Sequence, residues 1–297
     1  MFEMLCGVSV LLPSSRASKI VSLRSAEARW ELMTDNGDET LRLTTNDYWA
    51  QQYSEKLLTP IDPEGRGGTN YSGHLIDRLM KPFLENATGG ALIEVGCGGS
   101  TWLPFFARRY EMSVAGIDYT ESGCDAARRV LSLSNTAGTI VNADLFDPPT
   151  ELFGKFDIAT SFGVVEHFAY TSTALRSIAS LCRPGGYVIT TVPTMKGLYG
   201  AAVKATNRPL YDLHHPMNKT DLAQAHVDAG LVVKVSKHLL GLPVILSDPD
   251  RSVGQSLTRR IARTVSHGYI AIEKRGFGVP PNRFTSPYAI CVAQRPQ

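Results

Sequence analysis

From residue 91 onward the apolar positions change period repeatedly, and that alternation governs the reading of the whole chain. Short apolar runs fall at 91–95, 113–117, 138–142, 156–161, 186–192, 231–238 and 287–293. Their length and their β-branched content suit strands. Between them, 101–110, 121–133, 171–182 and 220–229 carry apolar residues at helical spacing, as in Trp102, Phe105 and Phe106. The predicted class is α/β: a Rossmann-like, doubly wound, mostly parallel seven-stranded sheet with helices on both faces. Ligands are expected beyond the carboxyl ends of its strands.

Ahead of this region, Leu75, Ile76, Leu79, Met80, Phe83 and Leu84 form one stripe of a packing helix at about 72–85. A capped, aromatic-rich helix starts at Asn46 and reaches Tyr53. Residues 29–44 read as a β-hairpin around Asn36-Gly37. Its register pairs Trp30 with Leu43 and Leu32 with Leu41 on one face, and Glu31 with Arg42 on the other. The apolar face has to cover the domain body or a second subunit, so a homo-oligomer built through the hairpin is one expectation. The expected division is a leader and hairpin at 1–45 and one domain at 46–297, with insertions at 194–218 and 239–286. The later insertion holds a predicted helix from Val253 towards Lys274 whose Arg259, Arg260 and Arg263 lie opposite Leu257, Ile261 and Val265. Such a face is read as solvated, though a membrane surface or an acidic partner would also suit it.

Composition changes this picture little. A chain of 297 residues can bury a sizeable core. A net charge of +2 argues against nucleic acid as an obligatory partner. Cys6, Cys97, Cys124, Cys182 and Cys291 are scattered, with no close pair, which suggests neither disulfides nor zinc and fits a reducing cytoplasm. The apolar start, Met1 to Leu12, contains Glu3 and is too short to span a membrane; it is read as a loose leader or a packed strand.

The chemistry begins at Leu92-Ile93-Glu94-Val95-Gly96-Cys97-Gly98-Gly99-Ser100, a strand running into a glycine loop and then a helix. Gly96 and Gly98 let the backbone approach a small molecule, and the free N–H groups at the helix start face it. No Lys followed by Ser or Thr is present for a phosphate loop, and Thr101 stands where a dinucleotide fingerprint needs its third glycine. Glu94-Val95-Gly96-Cys97-Gly98 resembles the E-x-G-x-G loop of class I S-adenosylmethionine-dependent methyltransferases. Val114-Ala115-Gly116-Ile117-Asp118 then ends the second strand in a carboxylate able to accept both hydroxyls of a ribose. After the third strand, Asp144 and the N–H of Leu145 match the amino and ring nitrogens of adenine, with Tyr119, Leu145 and Phe146 as apolar walls. Ser161-Phe162-Gly163-Val164-Val165-Glu166-His167-Phe168 and Leu181-Cys182-Arg183-Pro184-Gly185-Gly186 resemble the fourth- and fifth-strand motifs of the same superfamily. The resemblance covers about 46–238 and the last strand. It implies S-adenosyl-L-methionine as cofactor, with Tyr53, Glu94, Gly96, Cys97, Gly98, Asp118, Tyr119, Asp144, Leu145 and Ser161 as its contacts.

Methyl transfer from a sulfonium is an in-line displacement, so the protein mainly aligns the partners and removes a proton from a hydroxyl acceptor. His167, next to Glu166, is the first candidate base. The second candidate is the insertion Tyr211-Asp212-Leu213-His214-His215, in a loop that commonly forms the acceptor pocket of this superfamily. Glu166, His167 and His215 would suit a divalent metal such as magnesium, and of two adjacent histidines on an extended segment only one reaches a given centre. The Glu-His turn and the 102–123 region are also similar to saccharide-modifying methyltransferases. The leading expectation is O-methylation of a sugar or other small hydroxylated acceptor. The alternatives are lipid C-methylation of the cyclopropane-synthase kind and a non-catalytic cofactor-binding protein.

Overall fold

The computed structural model describes residues 42–53, 71–242, 268–272 and 275–297. Two helices come first, α1 (Asn46–Tyr53) and α2 (Tyr71–Glu85). Strand and helix then alternate: β1 (Ala91–Val95), α3 (Leu103–Tyr110), β2 (Ser113–Asp118), α4 (Glu121–Leu133), β3 (Gly138–Asn142), β4 (Phe156–Phe162), α5 (Thr171–Leu181) and β5 (Cys182–Pro193). The chain closes with α6 (Leu198–Thr206), α7 (Arg208–Asp212), α8 (Lys219–Asp228), β6 (Val232–Leu239) and β7 (Tyr288–Gln294). The seven strands form one sheet in the order β3-β2-β1-β4-β5-β7-β6. All neighbours are parallel except β7, which runs antiparallel to β5 and to β6.

The period-2 pattern of the strands builds two cores, one on each face. On β7, Ile290 and Val292 join the cluster under α2, α3 and α4, whereas Ala289, Cys291 and Ala293 join the cluster under α5 and α8. Leu92 and Ile93 of β1 divide in the same way. The α2 stripe is realised by Ile76, Met80 and Leu84, all fully buried. α8 starts where Asn218 accepts from the N–H groups of Thr220 and Asp221 while Asp221 accepts from the N–H of Asn218, a reciprocal cap.

The order of the sheet reverses between β1 and β4, and that switch point opens a crevice at the carboxyl ends of the strands. The glycine loop after β1, Asp118 at the end of β2 and the Glu-His turn after β4 all emerge there. The insertion at 194–218, read from sequence as a loop, contains α6 and α7. The expected hairpin pairs and most of the predicted basic helix lie outside the described residues; residues 268–272 are helical. No helix among the described residues is long and apolar enough to cross a membrane.

Leu92 has no solvent exposure and sits at the centre of the sheet. Leu92→Ala is therefore expected to lower unfolding free energy by roughly 2–5 kcal/mol, and Leu133→Ala, at an exposed position, by less than about 0.5 kcal/mol. Urea unfolding of both variants checks the contrast, and equal midpoints would sink it.

Candidate active site

Three strand ends shape the glycine loop. The N–H groups of Gly96 and Cys97 both donate to the carbonyl of Ile117, at 2.8 and 3.2 Å, drawing the loop across the end of β2. Gly96 has φ +68°, and a Cβ on it would lie 2.5 Å from Val164. A Cβ on Gly98 would lie 2.3 Å from the Tyr53 ring. Only glycine lets the loop pass under α1 here. Glu94 is buried beneath the loop and accepts a hydrogen bond from the Ser100 hydroxyl. Ser100 Oγ in turn accepts from the N–H groups of Trp102 and Leu103, at 3.0 and 3.2 Å, which sets the start of α3. Burial pushes the Glu94 carboxyl up to about 8, against the opposing pull of the Ser100 bond.

Asp118 ties these pieces together. One carboxylate oxygen accepts from the Gly98 N–H at 2.9 Å, the other from the Thr120 N–H and hydroxyl at 2.9 and 2.8 Å. Thr120 also caps α4, accepting from the Gly123 N–H. A carboxylate offers about four acceptor positions, so capacity for one more donor remains towards the crevice.

That crevice is an open pocket of roughly 590 Å³, solvent at its mouth included. Tyr53, Gly96, Asp118, Tyr119, Leu145 and His167, all expected from sequence to act here, line it. Glu94, Cys97, Gly98 and Ser161 stand behind the lining; Ser161 lies on β4 beside Val95. Asp144 does not line the pocket either. Its carboxylate pairs with the Arg42 guanidinium, which lies 5.0 Å from the ring centre of Tyr119 and within 6 Å of those of Phe146 and Phe168. Arg42, Thr44, Trp49, Val164 and Phe168 also line it and were not expected from sequence to do so. For Trp49 a signal existed: it stands four residues before Tyr53 on α1, the two rings are stacked at 6.2 Å, and the Trp49 ring meets the His167 ring edge-on at 5.1 Å.

Beyond the pocket wall lies a second group. A tight turn, Val165–His167, buries Glu166 and His167, and the segment after α7 brings in His214. His167 Nδ1 is 2.7 Å from the carbonyl oxygen of Leu213, and His214 Nδ1 is 2.7 Å from that of Leu210. Each Nδ1 must therefore carry the ring proton, leaving a lone pair on Nε2. Those two Nε2 atoms and both carboxylate oxygens of Glu166 are buried with no hydrogen-bond partner among the described residues. The ring centres are 4.6 Å apart, and Glu166 Oε1 is 4.0 Å from His167 Nε2. Burial holds His167 down at about 3, helped by the neighbouring His214 and opposed by the Leu213 bond. Burial also lowers His214 and raises Glu166 to about 8. His215, the histidine expected in this group, is exposed; its backbone N–H donates to the Glu166 carbonyl. His226 shows what a satisfied core histidine looks like here, since both its ring nitrogens have partners, Leu222 O and the Thr190 hydroxyl.

A family model described as "Methyltransferase domain" matches residues 69–234. The chain belongs to that family of methyltransferase domains, whose class I members take their methyl group from S-adenosylmethionine. Among curated proteins, it is 27% identical over 164 residues to a ubiquinone biosynthesis O-methyltransferase of Alkalilimnicola ehrlichii, covering 53% of this chain and 64% of that protein. A protein of the same name from Pseudomonas paraeruginosa is 29% identical over 172 residues, covering 54% and 74%. The chain thus spans only about half to two-thirds of the length of the first relatives it matches. Among solved structures, the geranyl diphosphate C-methyltransferase of Streptomyces coelicolor is 14% identical with a TM-score of 0.52, covering 84% of this chain and 96% of that one. The 4+2 cyclase SpnF is 15% identical with a TM-score of 0.55, covering 86% and 98%. At such identities the fold alone is shared, and one fold hosts different reactions.

The Glu94 carboxyl binds its proton more firmly in the native state, up to about 8, than at its ordinary value of 4.5. Stability contributed in this way is full below the ordinary value and is lost as pH rises from there through the native value. Glu94→Gln is expected to flatten the fall in urea midpoint between about pH 5 and pH 8. A variant that declines as steeply as the parent would remove Glu94 as a cause.

Proposed function

We propose that this chain transfers the methyl group of S-adenosylmethionine to the hydroxyl oxygen of a small aromatic acceptor. The observation that carries the reading is the continuity of one pocket from the glycine loop and Asp118 to His167, behind which the lone pairs of Glu166 and His214 converge. The cradle fits the cofactor: the loop is held open by Gly96, Asp118 retains an acceptor position, and Val95, Ile117 and Leu145 supply apolar walls. When bound, S-adenosylmethionine supplies an electrophilic methyl on a good leaving group. Asp118 would hold the ribose diol, and Tyr119, Leu145 and Ala143 would flank the base. α1, through Trp49 and Tyr53, covers the pocket and excludes water. The Glu166–His167–His214 group lies where the acceptor oxygen must lose its proton and gain negative charge.

The acceptor class follows from what the pocket presents. A sugar was expected from the polar residues of the insertion, but Arg208 and Asp212 pair with each other on the surface and His215 is exposed. Little of that polarity is directed inward, while Trp49, Phe168, Val164 and Ile117 line the cavity. An aromatic ring fits these walls, and its hydroxyl ionises more readily than an alcohol. The relatives named ubiquinone biosynthesis O-methyltransferases support oxygen as the methylated atom.

Incubation with methyl-labelled cofactor and separate panels of phenols, saccharides and unsaturated lipids tests this reading. Label on a phenolic oxygen is expected; label confined to saccharides or lipids, or none at all, overturns it. Asp118→Ala should weaken S-adenosylhomocysteine binding at least about tenfold, the loss of a charge-assisted bond of roughly 1.5–3 kcal/mol. Calorimetry showing unaltered affinity would remove Asp118 from the cofactor site.

A further inference from the structure

We infer that Glu166, His167 and His214 form a binding site for one divalent transition-metal ion, directly behind the wall of the acceptor pocket. This places the ion in the site of the O-methylation reading and rests on that reading only for its role, not for its existence.

The argument starts from proton positions. With Nδ1–H of His167 committed to Leu213 O and that of His214 to Leu210 O, both Nε2 atoms offer lone pairs. The Glu166 carboxyl adds two oxygens, and none of these four buried atoms has a partner among the described residues. Burying a polar group without a partner costs on the order of 1–3 kcal/mol. Three such side chains, each with an unpartnered atom close to the others, point to a shared positive centre. The three side chains each present a ligand atom, all within 4.8 Å of one another. Ligands at about 2.1 Å from one ion are at most about 4.2 Å apart, so binding draws the outermost pair slightly together.

The surroundings match what a metal site requires. A ring N–H donated to a backbone carbonyl is the outer-shell arrangement that fixes the tautomer and orientation of ligating histidines. His226 has the same Nδ1 arrangement, yet its Nε2 meets Thr190; among the described residues, buried Nε2 atoms without a partner are those of His167 and His214, and His238 has an unpartnered Nδ1. Two imidazoles and one carboxylate are a set used by catalytic zinc and non-haem iron, and softer than the oxygen-only shells of magnesium. The donors thus favour zinc or iron(II) over the magnesium considered from sequence. Of the three ligands His167 alone lines the acceptor pocket, and the ligand atoms themselves are buried behind its wall.

The role follows. A cation behind the wall would stabilise the anionic form of an acceptor hydroxyl in the pocket more than the neutral form, so that the hydroxyl would lose its proton to solvent at a lower pH. The oxygen lone pair then forms the new bond to the methyl carbon as the carbon–sulfur bond breaks, and the sulfur leaves as a neutral thioether. The ion keeps its charge throughout. Since His214 follows α7, the same ion would fasten the insertion to the turn after β4.

The test uses the full chain, stripped with chelator and titrated with Co2+ as the probe. One equivalent per chain is expected, with visible absorption bands of a nitrogen- and oxygen-ligated low-coordinate site. His214→Ala and Glu166→Gln should each weaken Co2+ binding at least about tenfold, with S-adenosylhomocysteine affinity kept as proof of fold. His215→Ala should leave Co2+ binding unchanged. Absence of stoichiometric Co2+ binding, or equal binding by the His214 and Glu166 variants, overturns the site even if the enzyme methylates phenols. Stoichiometric binding lost in those variants, together with no methylated product from any acceptor, upholds the site and overturns the O-methylation reading instead.

Discussion

The carboxylate of Asp118 is the knot on which the cofactor end of the molecule depends. Through Gly98 it holds the glycine loop against β2, and through Thr120 it sets the start of α4. With the same two oxygens it accepts three donors of the fold and faces the crevice. Its neighbour Glu94 acts differently. Buried below the loop, it orders Ser100 and the first turn of α3. Two acids on neighbouring strands are thus separated into a lining group and a supporting group.

The sheet order makes the rest of the site possible. Because the order reverses between β1 and β4, their carboxyl ends diverge and leave room for a ligand between the helices of the two faces. The Glu-His turn of β4 therefore stands beside the glycine loop of β1, although about seventy residues of sequence separate them. Arg42 closes the far side of the pocket by pairing with Asp144 among three aromatic rings. That pairing puts the carboxylate expected to read adenine out of the lining, and it makes the segment before α1 part of the wall.

Histidine shows most clearly how environment decides chemistry. His214 and His226 are both buried, both bond a backbone carbonyl four residues earlier through Nδ1, and both are held below their ordinary range by burial. His226 finds a threonine hydroxyl at its other nitrogen and is a core residue. His214 finds only other acceptors. Its neighbour His215, identical in type and one position on, is in solvent.

The sequence by itself determined the alternation of strand and helix, the place of the glycine loop, and the acids at 94 and 118. These are local matters: side-chain period is written within five to fifteen residues, and backbone freedom at Gly96 depends on one residue. Alternation also separated His214 from His215, although which of the two would turn inward was not legible. Only the tertiary structure decided that, together with the helices inside the insertion, the pairing of Arg42 with Asp144 and the convergence of lone pairs around Glu166. Each of these depends on a partner brought in from a distant part of the chain. The burial and hydrogen-bond satisfaction of a side chain belong to the packed neighbourhood, and no local pattern encodes them.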